Sequence, residues 1–436
     1  MISLRKGVIR ISNERHIIDY LLDGSLLILL CAISTFGTAE KGQDYINYAG
    51  LLLFVGLTLA KAIFEKKSST YLRISLHTIW YGTFIILAVA SSLWANYPAS
   101  SFTAIPRMVQ VLIIGICMMK YIINRSDMER FLTLMLLSFI FMTFYILAMT
   151  PATGWFSGFL GSEVTGYNSN SIGFMSSTGV LIAFYKAYIR KERIFFPLML
   201  VPLAMVFLTS SRKSMFMVVV GLAMIVTLYT GKKHYVLRIF VILGVAAAFI
   251  VAIFKVPILY QLIGQRFASM SDYFVGGDKT ADYSIVRREY FIQSAKNFFN
   301  EHPILGLGFN NFGITLGKNY ANYSYAHNNY WEIASDLGIV GFFTYYWFYA
   351  YLFVKLLKKV TKGSTMAILF FSYLCILLMS EYGMVTYYTR TEQMMLILCF
   401  VSLNFEKAGR YLIRPKPVEE RDDETTAVPK RFSEKY

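Results

Sequence analysis

Charge is what this chain is short of. Only 16% of its 436 residues are Asp, Glu, Lys or Arg, against 56% hydrophobic and 17% aromatic, and a soluble globule of this length cannot cover itself with so few charges. Cysteine is scarce too. Cys31, Cys117, Cys375 and Cys399 all fall in apolar runs without a CxxC pair, which argues against a disulfide framework or a cysteine metal site and leaves them as small core residues. No DxD-type acidic pair stands in the long polar stretch from 255 to 336, so a metal-held nucleotide sugar is poorly supported, and we expect no metal and no cofactor. No internal repeat is strong enough to argue an inverted-repeat transporter. The first apolar run follows Asp19 and Asp23 and has no Ala-x-Ala-like site after it, so it reads as a span rather than a cleavable signal.

What the chain does have is apolar length. A spanning helix needs roughly 20 mainly apolar residues, and such runs recur near 18–37, 45–64, 75–95, 105–123, 130–149, 171–188, 194–209, 214–230, 236–254, 337–356, 364–383 and 388–404. The predicted fold is all-α: a polytopic membrane bundle of about twelve helices. One large extracytoplasmic loop containing short helices interrupts it. The chain divides accordingly into membrane helices over 1–254, the loop over 255–336, membrane helices over 337–404 and a polar tail over 405–436.

Connector charge supplies the orientation. Arg5, Lys6, Arg10 and Arg15, then Lys66, Lys67 and Arg73, Lys120, Arg125 and Arg130, Lys186, Arg190, Lys191 and Arg193, Lys232, Lys233 and Arg238, Lys355, Lys358, Lys359 and Lys362, and the tail occupy one alternating set of connectors. The other set is nearly bare, as 151–170 has no Lys or Arg at all. Short cytoplasmic loops carry the Lys and Arg excess, which puts both termini in the cytoplasm and 255–336 outside. The net charge of +16 then answers to anionic lipid and needs no nucleic acid.

Several polar residues break this pattern. Thr209-Ser210-Ser211-Arg212-Lys213-Ser214 falls on an outward turn that should be poor in charge. It reads either as cations snorkelling to an interface or as an anion site, where a guanidinium grips phosphate and serines and a helix start add donors. Arg287-Arg288 opens an amphipathic segment in which Tyr290, Phe291, Ser294, Ala295 and Phe298 recur at helical spacing and Pro303 ends the run. His327-Asn328 closes the polar loop where the next apolar run begins. Glu332 and Asp336, one helical turn apart, are candidates to orient the imidazole or are ordinary helix-start acids. The remaining histidines, His16, His77, His234 and His302, read as structural or interfacial. The outer tyrosines, Tyr283, Tyr290, Tyr320, Tyr323, Tyr325 and Tyr330, suit either sugar stacking or the usual aromatic belt.

Taken together these patterns resemble the membrane-embedded O-antigen ligases and Wzy-type O-antigen and capsule polymerases. His327-Asn328, nine residues, Gly338, two residues and Gly341 is similar to that family's histidine motif. Arg288 followed by His302-Pro303-Ile304-Leu305-Gly306-Leu307-Gly308 and Phe312 resembles its arginine-led segment, and Ser211-Arg212 its Ser-Arg motif. Ser91-Ser92-Leu93-Trp94-Ala95 and Gly166-Tyr167-Asn168-Ser169-Asn170 resemble weaker landmarks. The likeness runs over residues 90–345 in order. It departs from the pattern where the aromatic inside the arginine-led helix is displaced and where Arg287 and Arg288 compete for one position.

The resemblance implies a glycosyltransferase that takes a saccharide from undecaprenyl pyrophosphate on the outer face of the bacterial cytoplasmic membrane. Arg212, Arg288 and Arg287 would hold the pyrophosphate without a metal. His327 would be the base, at its ordinary pKa of about 6.5, with Asn328 and Glu332 in support. The implied partners are the lipid-linked oligosaccharide, membrane lipids and other polysaccharide-assembly proteins. Polymerase is the first expectation, from the modest outer loop and the absence of a basic lipid A-binding surface; transfer to another acceptor as a ligase and simple translocation of the lipid-linked glycan are the alternatives.

Overall fold

Apolar runs of this length have to satisfy their backbone internally in a bilayer, and helices are the way a single segment can do so. The structure, a computed structural model, describes residues 15–36, 44–64, 75–156, 160–230, 253–257, 260–276 and 282–405, together with 240, 244 and 251. The described helices are α1 (Ile17–Thr35), α2 (Asp44–Phe64), α3 (Leu76–Ala90), α4 (Pro98–Thr103), α5 (Ile105–Tyr121), α6 (Arg125–Met149), α7 (Ser162–Thr165), α8 (Ser169–Phe184), α9 (Phe195–Leu208) and α10 (Arg212–Thr230). They continue with α11 (Gln265–Phe274), α12 (Tyr283–Glu301), α13 (Phe312–Tyr320), α14 (Asn329–Thr361), α15 (Thr365–Ser380) and α16 (Arg390–Ser402).

Among the described residues, eight helices are long and apolar enough to cross a membrane, and Phe195–Leu208 and Thr365–Ser380 are shorter apolar helices. The run expected at 388–404 forms a helix of 13 residues. The span expected at 236–254 lies largely outside the described residues, as does the tail. The tenth span differs in detail: its helix starts at Asn329 rather than 337 and is broken at Gly338, where φ is +62° and ψ −161°.

The centre of the bundle is α8, whose membrane stretch is 89% buried. Small residues put it there. At Gly173 the neighbour is Ser214 of α10, and at Gly179 it is Phe139 of α6 and Pro202 of α9; in a lipid environment such close backbone approach is a main source of helix association. A second packing unit is aromatic: Trp80 of α3 stacks on Phe348 of α14 with centroids 4.4 Å apart, and its indole N–H donates to the Tyr345 carbonyl at 2.9 Å. Asp19 and Asp23, for which the sequence suggested no role, pair with Lys61 and Arg15 at 2.6 Å each. Tyr121 also donates to Asp23 at 2.6 Å, so α1 is tied to α2 and α5 at the end rich in Lys and Arg.

The polar stretch builds a small layer of its own. Phe291, Ala295 and Phe298 of α12 pack with Leu307, Phe312, Leu316 and Ala326, the amphipathic face anticipated from spacing, although Tyr290 stays exposed at 41%. Pro303–Gly308 docks on the break in α14 through backbone pairs. Leu307 and Gly308 N–H donate to the Ser335 and Asp336 carbonyls at 2.9 and 2.8 Å, and Ile339 N–H donates to the Pro303 carbonyl at 2.9 Å. This contact explains the two glycines. A Cβ on Gly306 (φ +69°) would run into the Asp336 carbonyl, and one on Gly338 into that of Ile304.

The first expected outcome follows from that geometry. Gly306→Ala should lower the melting temperature of the purified protein, since the left-handed conformation alone costs roughly 1–2 kcal/mol with a side chain before any clash. Gly82→Ala, which meets nothing within 4 Å, should not. Equal melting curves would mean that the docked turn yields.

Candidate active site

His327 is held by its neighbours in the chain. The Ala326 N–H donates to the Glu332 carboxylate. Asn328 is the N-cap of α14, accepting from Trp331 N–H at 3.1 Å and donating to the Tyr382 carbonyl at 3.2 Å. Pinned on both sides, His327 takes φ +54°, a left-handed conformation that a side chain adopts at a cost and that clusters at functional sites. Its ring lies parallel to Phe291 at 5.6 Å and against Tyr325 at 3.9 Å.

The supporting acids therefore act differently from the expectation. Glu332 fixes the backbone beside the histidine instead of orienting its ring. Asp336 accepts from the N–H groups of Asn310, Asn311 and Phe312 at 2.8, 3.1 and 2.7 Å, which organises the start of α13. Both are buried, and a buried carboxylate needs such donors.

The cations converge on the same place, with unequal freedom. Arg212 Nη1 donates to Asp282 Oδ2 and to the Arg266 carbonyl, both at 2.6 Å, and Nη2 to Ser284 Oγ at 3.3 Å. Asp282 is also the N-cap of α12, accepting from Ser284 and Ile285 N–H. Burial works against its charge, but Arg212 and Ser284 outweigh it and hold the carboxyl at about 2. Arg212 is thus a strap from the start of α10 to the start of the helix that carries Arg287 and Arg288. Arg287 is exposed, with its guanidinium 5.3 Å from the Phe291 ring. Arg288 is half-buried and has neither ion pair nor hydrogen bond among the described residues; burial lowers its pKa and the charge of Arg212 adds to that, with Tyr325 opposing. Between the two, Arg288 is the guanidinium left free beside His327.

Asp282 and Asn329 escaped the reading of the sequence, and Lys213, read there only as part of the Ser-Arg-Lys turn, takes a definite place. Asp282 had a signal, an acid just ahead of a helix. Lys213 donates to the Ser380 carbonyl at 3.1 Å, bringing a further cation in from α10. Asn329, fully buried, accepts from Thr386 N–H at 2.8 Å, donates to Tyr346 at 2.8 Å and anchors its own N–H on the Glu381 carbonyl. The serines next to Arg212 are occupied: Ser211 donates to Asn170 Oδ1 at 2.9 Å and caps Ser214.

The electrostatics of the histidine also need correcting. Burial first, then Arg288, Arg287 and Lys213, push it down from the ordinary value to about 4, so at neutral pH the imidazole is uncharged and a weak base. Beside Asn328 opens an apolar cleft of about 400 Å³ lined by Phe299, Tyr330, Trp331, Phe342, Phe343 and Tyr382 among others. Among the described residues no group of three or more His, Cys, Asp or Glu could hold a metal ion.

The separate stretches of sequence meet here. Trp94 donates to the Leu305 carbonyl at 3.1 Å, and Phe309 N–H to Ser91 Oγ at 2.8 Å. With Ser211 on Asn170 and Pro303–Gly308 on the α14 break, one connected unit results. No curated protein matches the chain. Residues 197–346, which hold Arg212, Arg288, His327 and Gly338, match the family model Wzy_C, described as O-antigen ligase, a similarity over about a third of the chain that supports a membrane glycan-processing enzyme.

Proposed function

We propose that the protein is a membrane glycosyltransferase that transfers a saccharide from a polyprenyl pyrophosphate, undecaprenyl pyrophosphate in bacteria, on the outer face of the cytoplasmic membrane. The observation that carries this reading is Arg288, a half-buried guanidinium without a partner among the described residues, set beside a backbone-pinned histidine. A planar fork suits two phosphate oxygens, and the apolar cleft beside Asn328 suits the prenyl chain.

The chemistry needs no outside energy source. His327 takes the proton of an acceptor hydroxyl as its oxygen bonds to the anomeric carbon; the bond from that carbon to the phosphate oxygen breaks, and the electron pair leaves on the pyrophosphate. Arg288 stabilises the charge gained there. Arg212, Asp282 and Asn328 position these groups. The outward orientation rests on the alternation of Lys and Arg in the connectors, which also puts both termini in the cytoplasm.

We favour polymerisation, in which the acceptor is a further lipid-linked chain. The ligase reading, transfer to a different acceptor, is favoured by the description of the matched family. Purified protein supplied with a defined lipid-linked repeat unit should lengthen the glycan and release polyprenyl pyrophosphate. Product only when a different acceptor is added would establish the ligase, and intact lipid-linked starting material in both cases would overturn the transferase reading.

A further inference from the structure

A second pair of arginines lines a cavity that the chemistry above leaves unused. Arg107, near the start of α5, and Arg390, the first residue of α16, face it together with Glu392, Tyr167, Ser171 and Thr389. Its volume is about 50 Å³, against roughly 10–15 Å³ for a single water, which suits a group the size of a phosphate or carboxylate. Arg390 is only 6% exposed, and its Nε donates to Gln110 Oε1 at 2.7 Å, so its guanidinium is fixed in place. Arg107 is half-buried and has no ion pair among the described residues. Two guanidiniums face one carboxylate, Glu392, and the excess charge is positive.

The cavity is linked electrostatically to the surroundings of His327. The Arg107 guanidinium lies 5.5 Å from the Tyr388 ring. Burial first, then the nearby Glu332 and Tyr325, push the Tyr388 hydroxyl up, while Arg107 opposes. Tyr325 packs on His327 at 3.9 Å. Arg288 acts on the histidine from α12 and Lys213 from α10, and Lys213 also acts on Glu392 of the cavity, so its charge lies between the donor-side cations and this second pair.

We propose that the Arg107–Arg390 cavity is a second oxyanion site, which holds a phosphate or carboxylate carried by the acceptor while the donor pyrophosphate lies at Arg288. The inference rests on the transferase reading for its assignment to the acceptor, and one ligand chemistry covers two sources: the pyrophosphate of a second lipid-linked chain or the carboxylate of an acidic sugar. Two guanidiniums give the bidentate geometry that either group matches.

Calorimetric titration of the full chain in phosphatidylcholine nanodiscs, with inorganic pyrophosphate and separately with methyl glucuronide, tests it. Wild-type protein should bind one pyrophosphate through Arg288 and a second anion through Arg107. Arg107→Gln should weaken the second at least about tenfold, the loss of one interaction worth about 1.4 kcal/mol, and leave the first, which certifies the fold. Loss of a pyrophosphate equivalent identifies the phosphate source, and loss of glucuronide binding the acidic sugar. Glu392→Gln should tighten the same anion, a gain that misfolding cannot imitate. Arg107→Gln binding both probes as wild type does would overturn the proposal. If Arg288→Gln changes nothing while Arg107→Gln loses its anion, the donor assignment fails and the second site stands.

Discussion

His327→Ala should insert and fold normally, still bind the lipid-linked donor, and transfer saccharide about 10²–10⁴-fold more slowly, the usual loss for a positioned general base. Folding is spared because the neighbours that fix this turn, Glu332 on the Ala326 N–H and Asn328 on Trp331 N–H, do not use the ring. The pH profile adds a sharper test. In the resting site the imidazole sits at about 4 through burial and the charges of Arg288, Arg287 and Lys213, so it is deprotonated throughout the neutral range. kcat/KM for the donor should therefore stay level as pH falls through 6.5 and drop only on approach to about 4. Bound pyrophosphate cancels the three cations, which raises the histidine towards its ordinary value, so the acid limb of kcat should lie at higher pH than that of kcat/KM. Near wild-type transfer by His327→Ala would remove the histidine from the chemistry; acid limbs of kcat and kcat/KM that coincide near 6.5 would mean that the resting site is not cationic.

Arg288→Lys should keep the charge, lose the planar fork, and reduce transfer about 10²–10³-fold, the range seen when one donor to a developing anion is removed. Stability should not suffer. The guanidinium has no partner among the described residues to lose, and the variant keeps a cation in its place, so it should melt near the wild-type temperature. Arg212→Lys should behave the other way. Its partner Asp282 caps the helix carrying Arg288, and the contacts to the Arg266 carbonyl and Ser284 depend on the guanidinium geometry. Activity and melting temperature should fall together, and Asp282→Asn should reproduce both. Wild-type rates for Arg288→Lys would sink the pyrophosphate assignment. A fully stable but inactive Arg212→Lys would instead put Arg212 in direct contact with the substrate.

These contrasts mark where the sequence was legible. Hydropathy is a local property, so α1, α2, α3, α5, α6, α8, α10 and α14 could be located from composition along the chain, and the shorter Phe195–Leu208 and Thr365–Ser380 fall within the apolar runs at 194–209 and 364–383. The amphipathic spacing of Phe291, Ala295 and Phe298 was equally local and marked the buried face of α12. The break at Gly338 was hidden, since the same glycine is tolerated in a continuous helix. Only its meeting with Ile304 and Pro303 makes the break necessary.

For the site, the sequence by itself determined which side chains were available: arginines and a histidine in places where a membrane protein has little reason to keep polar groups, with Gly306 and Gly338 between them. Tertiary structure decided what each was free to do. It spends Arg212 on Asp282, turns Glu332 and Asp336 towards backbone N–H groups, leaves Arg288 unpartnered among the described residues and sets Arg107 beside Arg390. None of this has a local signature, because a side chain's partner and its desolvation are set by whatever segment packs over it. The same packing lowers His327 to about 4, since burial and the sum of distant charges act through space rather than along the chain.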